Sequence, residues 1–156
     1  MSKRSKYDKL FAVFESLSAQ LASVPDDNAR RLISSWETAK VQYAQWLSDP
    51  ESGVTKSKVA VGLEQGLRET PQRLQRVAPQ WRTQAVVALQ AAIENEFPEF
   101  AAKQRDALAH VLSRGSIRSE SEFYLVRHEV ERIEGTRGAE ALLSNYYGLL
   151  EAFEIL

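Results

Sequence analysis

WRTQAVVALQAAIENEF, residues 81–97, is apolar at every position from Ala85 to Ile93 except Gln90. A helix of that composition is apolar almost all round, so it needs neighbours on several sides. Trp81, Ala85, Leu89, Ile93 and Phe97 recur every fourth residue, while Val87 and Ala91 lie on a different side, so two surfaces ask for cover. The stretch predicts the central helix, at about 80–97, of an all-α protein: one compact bundle of about six or seven helices.

Prolines frame this helix. Phe97-Pro98 ends it, and Pro98 opens the next, over about 99–113, with Phe100, Gln104, Ala107, Leu108, Val111 and Leu112 as a stripe holding one polar member. Gly115 closes that helix. On the other side, Thr70 as cap and Pro71 in the first helical position predict a short separate turn, PQRLQRV, that Pro79 ends. Before it, residues 54–69 form a helix with Val59, Leu63 and Leu67 on one side. Gly62 and Gly66 each cost that helix about 1 kcal/mol relative to alanine, and the pair permits close approach of another helix.

Further out, residues 7–22 place Leu10, Phe11, Phe14, Leu17 and Leu21 on one stripe, with 2–6 as a frayed basic lead. Asp26 or Asp27 caps a second helix over about 28–47. Its Ala29, Leu32, Trp36, Ala39, Tyr43 and Trp46 form a seam of about three heptads. Residues 1–47 read as a helical hairpin, 48–53 (SDPESG) as a hinge or turn, and 54–156 as the main bundle of one domain. Ser119 and Glu122 fit a capping box that opens a helix through Phe123, Val126, Val130 and Ile133. Gly135 stops it, and a last helix over about 138–153 buries Leu142, Leu143, Tyr146, Leu149, Leu150 and Phe153.

The 156 residues, 44% hydrophobic and 26% charged, suit a single globular domain; a chain of this length buries roughly 70% of its unfolded surface without needing staples. The absence of cysteine removes disulfides, thiolate nucleophiles and cysteine-held metals. No apolar run reaches the roughly 18 residues of a membrane span, and the basic N-terminus is interrupted by Asp8, Lys9 and Glu15, so it reads as a helix and not a signal peptide. The expectation is a soluble, cytoplasmic protein with no membrane partner.

Catalytic and cofactor motifs do not emerge. With only two histidines, neither preceded by glutamate at the third position (Ala107 and Leu125 stand there), di-iron and zinc patterns fail. No Gly-x-Ser-x-Gly elbow, Walker loop or dinucleotide fingerprint occurs, so no cofactor is expected. Asp106 and His110, four apart on one face, are the residues an unrecognised carboxylate or histidine enzyme would use, but they read as a surface pair. His128, between Arg127 and Glu129, reads as part of a solvated charged face.

Two surfaces stand out. Tyr146, Tyr147 and Phe153, with Glu151 and neighbouring leucines and Ile155 and Leu156, form an aromatic and acidic cluster of the kind that binds another protein. Arg68, Arg73, Arg76 and Arg82, interleaved with glutamines and Trp81, carry the residue types for nucleic acid, as the alternative. The net charge of -1 is uneven: residues 1–86 hold 13 Lys+Arg against 9 Asp+Glu, and residues 87–156 hold 7 against 12, so the halves carry +4 and -5. The reading is a non-enzymatic interaction module, an adaptor, regulator or inhibitor that binds a partner through a helical face. The two amphipathic hairpins joined at 48–53 also allow a homodimer.

Overall fold

The computed structural model describes residues 4–155, and among them there are seven α-helices and one 3₁₀ turn, with no strand. In chain order these are α1 (Lys6–Leu21), α2 (Asp27–Ser48), the turn Pro50–Ser52, α3 (Lys56–Leu74), α4 (Pro79–Glu96), α5 (Pro98–Arg114), α6 (Glu120–Ile133) and α7 (Glu140–Ile155). The all-α architecture anticipated from the central stretch is present.

α4 is that central element. It buries Ala85, Val86, Ala88, Leu89, Ala92 and Ile93 and packs on α1, α3, α5 and α6, most extensively on α1. The second apolar surface expected around Val87 does not need cover: Val87 is 47% exposed. Its place on the helix explains this, because Gln80, Thr83, Gln84 and Glu94 fall on the same side at helical spacing and are exposed too. One broad face is buried, and one polar stripe holds a lone valine.

α1 supplies Leu10, Val13, Leu17 and Leu21 to the same core and packs more on α4 and α3 than on α2. Its start is better held than a frayed lead: Ser5 and Asp8 exchange side-chain and backbone hydrogen bonds in a full capping box, and Arg4 pairs with Glu96 at 2.6 Å. Residues 2 and 3 of that expected lead lie outside the described residues. α2 begins at the Asp26 cap, which accepts from Ala29 N at 3.0 Å and also from Ala78 N at 3.0 Å, so one carboxylate fastens α2 to the turn between α3 and α4. Those two hydrogen bonds, Ala78 first, hold its carboxyl below the usual range.

Thr70-Pro71 does not start a new turn. α3 runs through it to Leu74. Proline lacks the N–H that would serve the carbonyl four residues back, but only three residues of helix follow it, and the Thr70 hydroxyl donates to Gly66 O at 2.7 Å, adding a bond in that turn. Thr70 and Pro71 are both buried.

A second apolar cluster joins the C-terminal part of α5 to α6 and α7 through Leu108, Val111, Ile117, Val126, Val130, Ile133, Tyr146 and Leu150. α6 bridges the clusters by packing on α3, α4, α5 and α7. Ser119 caps α6 as anticipated, but Glu122 does not complete a box; it accepts from Arg118 N at 2.8 Å and from the Arg114 guanidinium instead. No helix is long and apolar enough to cross a membrane among the described residues.

Candidate partner-binding groove

The seam of α2 runs past the core. Ala29, Leu32 and Trp36 are buried, Ala39 and Tyr43 are half-buried, and Trp46 is 41% exposed. The first half of α2 therefore closes on α1, with Trp36 held between Phe11 (ring centroids 5.0 Å apart, edge-on) and Phe14 (5.1 Å, stacked). The second half leaves an apolar strip open to solvent.

Beneath that strip lies a recess of about 210 Å³ bounded by α1, α2 and α3, with Phe14, Leu17, Leu32 and Trp36 on its apolar floor and Gly62 and Gly66 on the α3 wall. It opens onto a shallower trough of about 770 Å³ along α2, past Tyr43 and Trp46. Gly62 is not packed under another helix of this chain, and Gly66 meets α1 only through Phe14. A Cβ on Gly62 would meet nothing within 4 Å, and one on Gly66 only the Phe14 ring edge at 3.9 Å.

Two guanidinium groups border the trough, Arg31 and Arg73. Arg73 donates to Ser35 Oγ at 3.2 Å and Arg31 to Asn28 Oδ1 at 3.5 Å, and neither forms an ion pair among the described residues. The Trp36 indole N–H, at the recess, is buried with no hydrogen-bond partner. The groove thus combines an aromatic floor, an α3 wall in which Gly62 and Gly66 stand beside Leu63 and Thr70, and positive charge at its rim that no carboxylate among the described residues pairs with. The sequence signals were the glycine pair and the last three seam positions, each of which read as packing.

The C-terminal aromatic cluster divides. Tyr146 is 2% exposed in the α6–α7 core, and Phe153 stacks on Phe123 with ring centroids 5.2 Å apart. Tyr147 and Glu151 are exposed, and the Tyr147 hydroxyl donates to Glu134 at 2.6 Å, a bond that raises its pKa. The side chains of Ile155 and Leu156, which belong to this cluster in sequence, lie outside the described residues.

The four arginines do not form one surface. Arg73 borders the groove, whereas Arg68 lies on another side of α3, 3.8 Å from Glu64. Arg82 is half-buried and donates to the carbonyls of Gln75 and Val77, both at 3.0 Å, holding the end of α3. Arg76 is exposed. The alternating arginine and glutamine pattern is thus divided among α3, the turn after it and α4.

His128 is not on a solvated face. It is 2% exposed, because α6 is covered by α3, α4, α5 and α7 while its neighbours Arg127 and Glu129 stay half-buried at the sides. Its Nε2 lies 3.1 Å from Gln90 Oε1, Gln90 Nε2 donates to Gln104 Oε1 at 3.1 Å, and Nδ1 has no partner. The only polar residue in the apolar run of α4, Gln90, and the only polar member of the α5 stripe, Gln104, are thus one hydrogen-bonded chain. Burial first, and then the charge of Arg132, push the His128 pKa down to about 4, so the ring is neutral at pH 7. Asp106 and His110 are both exposed and share no hydrogen bond among the described residues. Nor do the described residues hold any group of three or more His, Asp or Glu placed to bind a metal ion.

Comparison with known proteins puts the chain in no family: no family model matches it, and neither do curated proteins or solved structures.

Proposed function

We propose that the chain is a non-enzymatic protein-binding module, an adaptor, regulator or inhibitor, and that its docking face is the groove between α1, α2 and α3. The observation that carries this reading is the half-covered seam of α2, where Ala39 and Tyr43 are only partly buried and Trp46 is exposed. A partner helix laid in the groove sets apolar anchors over Phe14, Leu17 and Trp36, at the i, i+3, i+7 spacing of helix-in-groove recognition. Tryptophan, tyrosine and arginine dominate contact energetics at protein interfaces, and Trp46, Tyr43 and Arg73 border this one. Gly62 lets the partner backbone come close. Arg31 and Arg73 select carboxylates on the partner, and the +4 charge of residues 1–86 steers an acidic partner toward this side.

The test is selection from a displayed library of 20-residue amphipathic helices with acidic and basic polar faces in equal number. Acidic helices should be enriched, and their binding should fall at least about tenfold in Gly62→Leu, which fills the wall, and in Arg73→Glu, which reverses the rim. Both positions are exposed, so neither change threatens the core. Binding that survives both substitutions refutes the groove. If it is lost instead in the double variant Tyr147→Ser and Glu151→Lys, the docking face is the outer side of α7. Light scattering on the unliganded chain, across a hundredfold range of concentration, tests whether a second copy occupies either face.

A further inference from the structure

On the opposite side of α3 from the groove, α3, α5 and α6 enclose a cavity of about 230 Å³ whose lining is chiefly apolar: Leu67, Pro71, Phe100, Ala107 and Leu125. Its mouth is built differently. Glu64, 6% exposed, is the one carboxylate in the lining, and three cations converge on it: the Lys6 ammonium in close contact with Oε2, and Lys103 and Arg68 at 3.5 Å and 3.8 Å from the same oxygen, Oε1. Burial works to raise the Glu64 pKa, but Lys6, with help from Lys103 and Arg68, outweighs it and holds the carboxyl below its usual range. One negative charge thus faces three positive ones. Lys6 already satisfies it, and the long contacts leave Lys103 and Arg68, both well exposed, with capacity to spare. Gln104, also in the lining and 9% exposed, uses its oxygen for Gln90, and its amide nitrogen makes no hydrogen bond among the described residues.

An apolar chamber with surplus positive charge at its mouth matches an amphipathic anion. We infer that this cavity binds a small monocarboxylic acid, its apolar tail against Leu67, Phe100 and Leu125 and its carboxylate between Arg68 and Lys103. The volume is below the roughly 300–1,000 Å³ of drug-sized sites, so the tail is short and single. Guanidinium and ammonium groups favour a carboxylate through charge-assisted hydrogen bonds, and desolvation of the tail supplies the rest. The cavity shares no lining residue with the partner-binding groove, so the inference stands or falls separately from the proposed docking function.

Octanoate, octanol and acetate, titrated into the full chain and followed by amide chemical shifts, test it. Octanoate should bind saturably, about tenfold or more tighter than octanol, which has the tail without the charge, and acetate should not bind. In the double variant Arg68→Gln and Lys103→Gln, where Lys6 still neutralises Glu64, octanoate should fall to the affinity of octanol while octanol is unchanged. Ala107→Leu, which narrows the chamber, should weaken both. No saturable octanoate binding, or equal affinity for octanoate and octanol in the native chain, overturns the inference. So does octanoate binding that the double variant leaves intact.

Discussion

Lowering the pH from 7 to 5 should destabilise the folded chain by about 2 kcal/mol, and His128 should account for nearly all of it. Gln90 Oε1 can only accept, so His128 must present its proton on Nε2, which leaves Nδ1 as the bare nitrogen. Charging the ring means adding a proton at Nδ1, which is buried and faces no acceptor. The folded state therefore binds that proton only near pH 4, while the unfolded chain binds it at 6.5. Because the folded pKa is the lower one, the stabilisation is complete above 6.5, declines as pH falls, and is gone below 4. Each pH unit inside that window costs about 1.4 kcal/mol. The curvature near 6.5 brings the loss between pH 7 and 5 to about 2 kcal/mol, and the full loss by pH 4 to about 3 kcal/mol.

The carboxylates held low in the folded state, Glu64, Asp26, Asp8, Glu99 and Glu122, also lose stabilisation in acid, with unfolded values of 3.8 or 4.5. Their window opens below about pH 5 and barely touches the one in question. Urea denaturation at pH 7, 6 and 5 measures the effect, with His128→Gln as the comparator. The variant is expected to be less stable at pH 7 but to lose the slope between pH 7 and 5. Equal stability of the native chain at pH 7 and 5, or an equal slope in His128→Gln, refutes the argument that a neutral, half-satisfied imidazole is locked in the core.

Gly62→Ala should stabilise the chain by about 1 kcal/mol, because alanine is the better helix former and its Cβ meets nothing; thermal unfolding reads it, and a lower midpoint contradicts the open wall of the groove. Asp26→Ala removes a helix cap and the tie to Ala78, and should cost about 2 kcal/mol in urea unfolding; a loss near zero means that the two bonds are not worth making. Leu89→Ala, at a fully buried position of the central helix, should cost about 3 kcal/mol, and a cost under about 1 kcal/mol at that position displaces α4 from the centre of the core.

The fold was legible because its signals are local and redundant. The run from Ala85 to Ile93 has only Gln90 as a polar interruption, and proline or glycine marks most of the boundaries around it, so composition and punctuation agree on helices. Elsewhere local punctuation is not enough. Thr70-Pro71 carries every mark of a helix start, and nothing in the sequence says that Thr70 will instead bond back to Gly66 within a continuing helix. The Val87 side is apolar only at Val87 and Ala91, and the four polar residues on the same stripe leave it to solvent. The charged neighbours Arg127 and Glu129 suggest a solvated face for His128, but residues adjacent in a helix point about 100° apart, and His128 lies on the side of α6 away from Val126 and Val130, a second side that the fold also covers and where Gln90 of α4 meets it.

The groove was harder to see, since an uncovered apolar seam and a covered one have the same spelling. Ala29 to Trp46 is one continuous pattern in the sequence, and only the placement of α2 against α1 decides that its first three members are core, that Ala39 and Tyr43 are half covered, and that Trp46 is exposed. The same holds for Gly62. In sequence it licenses close packing, and in the fold the space beside it is empty. A glycine in mid-helix with no crowding costs stability for no internal return. An open apolar strip costs solubility in the same way. Both lie on one groove, beside arginines that have no carboxylate within the described chain. These features each lack an explanation inside the monomer and share one outside it: a helix with apolar anchors and acidic flanks that covers Tyr43 and Trp46, approaches Gly62 and pairs with Arg31 and Arg73.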